Sequence, residues 1–171
     1  ASDLINGSTV EQIAEVLRGF GEEPRGRTIA RRIVANRPLH STVELARVVQ
    51  RAAPESNRRI HPATRTFQAI RMWVNGEIAN LQRALPQALN LLKPGGRIGV
   101  ISFHSIEDRT VKGFFAQEGK DCLCPPAIPV CVCGHIASLN TITKKVVTPS
   151  PEELGRNPRS RSAKLRIAQK L

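Results

Sequence analysis

One stretch constrains this chain more than any other: Arg97-Ile-Gly-Val-Ile-Ser-Phe-His104, apolar almost throughout and entered through Lys93-Pro-Gly-Gly96. The Pro-Gly-Gly run stops whatever helix precedes it. A run this apolar and this short predicts a strand buried on both faces of a parallel sheet. Ser105 is placed to cap the helical pattern that follows, to about Gln117. Helix, tight glycine turn, buried strand and helix together are α/β grammar.

The flanking segments are equally patterned. Ser8 and Glu11 suit a capping box, and Val10, Ile13, Ala14 and Leu17 follow at helical spacing until Gly19 and Gly21. A second helix is predicted from about Arg25 to Asn36, with Ile29, Ile33 and Val34 inward and Arg27, Arg31 and Arg32 on a basic side. A third starts at Ser41 or Thr42 and runs to Ala53, where Pro54 ends it. Glu55 to Arg59 reads as a polar linker, so the first domain is 1–60 and the second 61–171. Pro62 at a first helical position opens a long helical pattern to Leu92, which Pro86 should break. Residues 119–135 form a Pro- and Cys-rich loop, Thr141 to Thr148 a strand, and Pro151 to Leu154 a helical turn. At the end, Ala163, Leu165 and Ile167 alternate with Ser162, Lys164 and Arg166, the period-two mark of a half-buried strand.

Charge is where composition departs from the ordinary. The 171 residues carry 26 Lys+Arg against 14 Asp+Glu, a formal net of +12. Arg outnumbers Lys 19 to 7, and Arg is the better bidentate partner for phosphate. A polyanion, and nucleic acid first among them, is the expected partner. The candidate phosphate contacts are Arg27, Arg31, Arg32, Arg58, Arg59, Arg65, Arg71, Arg109, Lys112, Arg159 and Arg161. Aromatic residues are only 4 % and Tyr is absent, which disfavours binding by base stacking. A hydrophobic share of 40 % excludes a disordered chain, and the apolar runs are too short to span a bilayer. No signal-peptide pattern opens the sequence, so a cytoplasmic protein with no membrane partner is expected.

All four cysteines lie in one window, Cys122-Leu-Cys124 and Cys131-Val-Cys133. Such clustering is foreign to a disulfide-built secreted scaffold and fits a reducing compartment. The four thiolates could hold a structural zinc, with His135 as a spare ligand, although C-x-C is tighter than the usual zinc spacing. Unligated thiols or one reversible disulfide are the competing readings.

Several long motifs in one order resemble the ribosomal small-subunit RNA cytosine-N4 methyltransferases, the MraW family. They are His61-Pro-Ala-Thr-Arg-Thr-Phe-Gln-Ala69 with Asn75-Gly-Glu77, Leu92-Lys-Pro-Gly-Gly-Arg97, and Val100-Ile-Ser-Phe-His-Ser105 with Glu107-Asp-Arg109. Asn157-Pro-Arg-Ser-Arg-Ser-Ala-Lys-Leu-Arg166 is similar to the family's C-terminus, and the cysteine loop to one version of its loop. Residues 1–60 resemble the family's helical insertion more weakly, through Gly21-Glu22 and Ile29-Ala-Arg-Arg-Ile33.

The resemblance implies transfer of a methyl group from S-adenosylmethionine to the N4 amine of a cytosine in the decoding region of small-subunit rRNA. The amine attacks the sulfonium methyl carbon, and the site must align it and take up a proton. Its partner is then small-subunit rRNA or the ribosomal subunit. In the family the cofactor's glycine turn lies upstream of these motifs, so no cofactor-binding residue is expected here. The expected fold is α/β: the C-terminal part of a class I, Rossmann-like methyltransferase sheet plus a small all-helical inserted domain. Ligands lie beyond the carboxyl ends of strands in such sheets. Phe103, His104 and Ser105 are therefore candidate site-lining residues, against the alternative that His104 packs and Ser105 only caps. Glu107 and Asp108 are read as first-turn acids favoured by the helix dipole. An unpaired sheet edge favours association, a homodimer being one form. The alternative function is a non-catalytic rRNA-binding or ribosome-assembly module.

Overall fold

A computed structural model describes residues 1–53, 61–125 and 130–171. The polar linker, with Arg58 and Arg59, lies outside the described residues. Five helices come first: α1 (Ser2–Gly7), α2 (Val10–Gly21), α3 (Gly26–Ala35), α4 (Thr42–Ala52) and α5 (Thr64–Asn75). The capping box of α2 sits one residue later than expected. Thr9 Oγ1 accepts the Gln12 N–H at 3.3 Å, and the Gln12 carbonyl oxygen takes the Thr9 N–H at 2.8 Å. Ser8 instead closes α1. Ser41 caps α4 as predicted, accepting the Glu44 N–H at 3.2 Å.

The predicted stripes pack as read. Ile13, Leu17, Ile29, Ile33 and Val49 are almost wholly buried in one cluster. Helix α5 joins that cluster through Ala69 and Ile70. Its approach to α2 is close: a Cβ on Gly21 would sit 2.7 Å from the Arg65 carbonyl oxygen and 3.0 Å from Ala69 Cβ. The first compact unit therefore runs from Ala1 to Glu77, and the second from Ile78 to Leu171. The division falls after α5 rather than in the polar linker, because α5 buries its apolar face on α2.

The break in the long helical pattern is also displaced. Gly76, with φ of +60°, caps α5 in the left-handed region, where a missing Cβ removes the steric cost. Pro86 then lies inside α6 (Glu77–Leu91). Burial of Leu85 and Leu89 on either side of it outweighs the local cost of a proline there.

Three strands follow, interleaved with helices: β1 (Arg97–Ser102), α7 (Ser105–Glu118), β2 (Leu139–Thr141), α8 (Pro151–Arg156), a 3-10 turn (Pro158–Ser162) and β3 (Lys164–Lys170). They form one sheet in the order β1-β3-β2, with both pairings antiparallel. The expectation of a doubly buried parallel strand is thus corrected. β1 alternates exposed and partly buried residues up to Ser102, and among the described residues only one face is covered. Ile98, Val100 and Ala168 on that face meet Val111 and Phe115 of α7 and Leu89 of α6. An apolar run does not by itself report how many layers cover it, nor the direction of its neighbour. The strand expected over 141–148 is shorter and earlier, with a single further bridge from Val147 to Leu165.

Strand β3 is present as predicted, but its burial does not alternate: Ala168 is buried and the other six residues are intermediate. Lys164, Arg166 and Ala168 share the side that α7 covers, because they register with Ser102, Val100 and Ile98. Leu165 and Ile167 lie on the opposite side, against Gly99. Lys170 ties the strand to α6, its ammonium donating to the carbonyls of Leu89 and Leu92 at 3.1 and 2.8 Å.

Candidate functional site

Strand β1 hands over to α7 through Phe103 and His104. His104, not Ser105, is the N-cap: its Nδ1 accepts the Glu107 N–H at 3.2 Å. Glu107 reaches back and accepts the Phe103 N–H at 2.9 Å. An accepting Nδ1 puts the neutral ring's proton on Nε2. That nitrogen is buried and lies 3.3 Å from Glu107 Oε1, off hydrogen-bonding geometry. Both residues are thus engaged in starting the helix, and Ser105 is its first residue.

Asp108 does more than favour a helix dipole. Nearly buried, it receives a fork from Arg166, Nε to Oδ1 at 2.6 Å and Nη2 to Oδ2 at 3.1 Å. Lys164 Nζ adds a contact at 3.6 Å. The hydrogen bonds from Arg166, with the positive charges of Arg166 and Lys164, hold the Asp108 carboxyl below the usual carboxylate range. This fork explains how β3 can turn its charged face inward.

On the uncovered face, a groove of about 460 Å³ opens at the carboxyl end of β1. Ile101, Phe103, Val147 and Leu165 form its apolar wall, and Glu153 and Arg159 stand on its lining. Phe103 and Ile101 remain more than half exposed there. Such a surface can bind a flat apolar face and offer an Arg and a carboxylate at its margin. Phe103 is the only one of the three predicted lining residues that reaches it.

The basic candidates fall into separate sets. Arg27, Arg31 and Arg32 are exposed along α3. Arg27 also borders a shallow cleft with Arg18, Glu11 and Glu15. On α5, Arg65 donates to the Glu22 carbonyl at 3.2 Å, and Arg71 makes a two-pronged pair with Glu77 at 2.8 and 3.1 Å. Arg109 and Lys112 are exposed on α7, and Arg159 and Arg161 on the turn before β3. Arg37, not singled out by sequence, is a structural residue that donates to the carbonyls of Ile5 and Ser8 at 2.6 and 2.5 Å.

The four cysteines converge. Their sulfurs all lie within 4.8 Å of one another. His135 is not among them; its Nε2 pairs with the Gln117 carbonyl at 3.1 Å. The amides of Leu123 and His135 draw the Cys133 thiol down to about 6. Against the lowering effect of the Cys124 amide, sharing protons with Cys131, Cys124 and Cys133 pushes the Cys122 thiol up to about 12. Among the described residues, no helix is long and apolar enough to cross a membrane.

Comparison with known proteins is consistent along the whole chain. The family model described as the MraW methylase family matches residues 1–171. The chain is 53 % identical over 171 residues to the ribosomal RNA small subunit methyltransferase H of Dehalococcoides mccartyi, covering all of this chain and 49 % of that protein. The proteins of the same name from Thermomicrobium roseum and Heliobacterium modesticaldum are 51 % and 50 % identical, with all of this chain and 53 % and 56 % of each relative covered. The chain thus spans about half the length of the curated relatives it matches.

Proposed function

The chain belongs to the MraW methylase family, and from that premise we propose that the protein containing it methylates small-subunit rRNA at the N4 amine of a cytosine in the decoding region. S-adenosylmethionine is the methyl donor in this reading, and the cytoplasm, with its ribosomal subunits, is the compartment. The match along all 171 residues carries the reading. The names of the relatives, which state small-subunit rRNA methylation, support it. The family match also speaks against the bare RNA-binding module.

In this reading the first unit is the inserted helical domain that meets RNA. The second is the C-terminal part of a class I, Rossmann-like sheet, continued in the whole protein beyond the edge of β1 that is unpaired among the described residues. A second copy of the chain is the other way to cover that edge.

The described residues do not fit S-adenosylmethionine. Its adenosyl part needs a glycine turn that leaves a strand, so that backbone can approach closely. Here Gly95 and Gly96 enter a strand. The connection leaving β1 is Phe103-His104, and the N–H groups of Phe103 and Glu107 there are already taken by side chains of this same helix start. What these residues contribute is therefore binding and support. The arginines of α3 hold phosphates, and the groove at Ile101 and Phe103 offers an apolar face beyond the carboxyl end of β1.

Calorimetry of the isolated chain with S-adenosylmethionine should give no saturable heat. The whole protein should bind it and leave N4-methylcytidine in small-subunit rRNA, read by mass spectrometry of nuclease digests. Saturable binding by the chain alone would put the cofactor on these residues. An unmodified N4 position after reaction with the whole protein would overturn the function.

A further inference from the structure

The cysteine loop is not explained by a methyl-transfer role, nor by packing. Three of its four cysteines are exposed and the fourth is intermediate, although free cysteine is among the most buried residue types. Among its described residues the loop shows no apolar core to draw them together: Leu123, Val130 and Val132 are 40 %, 71 % and 76 % exposed. Yet two C-x-C pairs from either side of the loop bring their sulfurs to one point. The distances are 3.4 Å for Cys122–Cys131, 3.9 Å for Cys124–Cys131, 3.5 Å for Cys131–Cys133 and 3.9 Å for Cys122–Cys133. Four sulfurs around a zinc ion at about 2.3 Å stand about 3.8 Å apart along the edges of the tetrahedron. The observed spacings scatter about that value and are far from the ~2.05 Å of a disulfide.

Backbone donors add a second, independent sign. The N–H of Cys124 points at Cys122 Sγ at 3.3 Å, that of Val132 at Cys124 Sγ at 3.4 Å, and that of Leu123 at Cys133 Sγ at 3.4 Å. Amides turned toward sulfur stabilise thiolate, the form that ligates metal.

We infer that Cys122, Cys124, Cys131 and Cys133 form a closed tetrathiolate site for one structural zinc ion. Thiolates in a tetrahedral set select zinc over hard oxygen-seeking cations. With all four positions filled by protein, no coordination site is left for water or substrate, so the ion's work is architectural. The metal stands in for the hydrophobic core that the loop's described residues do not form. It pins the loop between the end of α7 and the start of β2, where Ser138 already bonds the Glu118 carboxylate at 2.5 Å and the Glu118 carbonyl at 2.8 Å. His135, bonded to Gln117, stays outside the shell.

The test is made on the protein purified under reducing conditions and dialysed. Elemental analysis should find about one zinc per chain. A thiol reagent should react slowly with the four cysteines until a chelator removes the metal. Cobalt added to stripped protein should give the visible bands of a tetrahedral thiolate complex. Cys131→Ser should lose the zinc. If that variant is too unstable to purify, the cobalt spectrum and thiol protection of the unaltered protein decide the matter alone. Metal-free protein with four thiols that titrate at once would overturn the site. So would zinc retained at full stoichiometry by a folded Cys131→Ser variant.

Discussion

Asp108 illustrates how a single side chain sets the orientation of a strand. Its fork with Arg166 makes an inward-facing charge tolerable, and the two are 58 residues apart. A carboxyl whose folded value is depressed contributes stability that is complete above its unfolded value and is lost as pH falls through the folded one. Asp108→Asn should therefore destabilise the second unit by about 1.5–3 kcal/mol at neutral pH, the range for hydrogen bonds to charged groups. The gap between variant and parent should begin to close as pH drops through about 4, where unfolded Asp starts to protonate. Denaturant melts at a series of pH values would measure it. A gap that stays constant into acid would mean that the amide fails by packing and not by charge. Sequence could not disclose this pair, since nothing local links an acid in a helix's first turn to an Arg in a distant strand. The same holds for His104. A histidine before Ser-x-Glu looks like a site residue, and its capping role rests on a side-chain rotamer that only the folded chain shows.

At the level of elements, α3 has the clearest basic face. Its apolar stripe of Ile29, Ala30 and Ile33 is fully buried, which leaves Arg27, Arg31 and Arg32 outward. If those arginines hold RNA phosphates, log affinity should fall linearly with log salt, at about −0.7 to −0.9 per neutralised phosphate. Replacing all three with Ala should flatten the slope by up to about three such contacts, with little change in preference among sequences. The loss should be smaller for Arg27, which borders Glu11 and Glu15. Filter binding of structured RNA across a salt series would show it, and equal slopes for parent and variant would reduce the arginines to solvated charge. Helices α2 to α5 were legible because their stripes have one period and one partner layer, whereas the six-residue α1 was not read. Three further points were not. The helix break went to Gly76, where a left-handed cap outranked Pro86. The unit boundary moved because Gly21 admits α5 against α2, a contact between distant segments. The sheet direction was hidden because a short apolar run reads alike in parallel and antiparallel neighbours.

For the molecule as a whole, the order of strands has a temporal meaning. β3 is the last of the three in the chain and the middle one in the sheet. β1 and β2 share no hydrogen bonds with each other; both wait for β3. Ser102 and its neighbour Lys164 are separated by 62 residues. A ribosome adding about 5–20 residues per second needs about 3–12 s to make that stretch. The five helices of the first unit can close on themselves meanwhile. Nascent chains arrested just before Lys164 should thus show a protease-resistant first unit and a cleavable second one. Arrest beyond Lys170, with the strand clear of the exit tunnel, should protect both. Resistance of the second unit before β3 emerges would refute this order. Until then the edge of β1 that β3 will take stands open, the kind of edge that seeks any available strand. The interval between making β1 and making β3 is therefore when that edge is most exposed to wrong pairing.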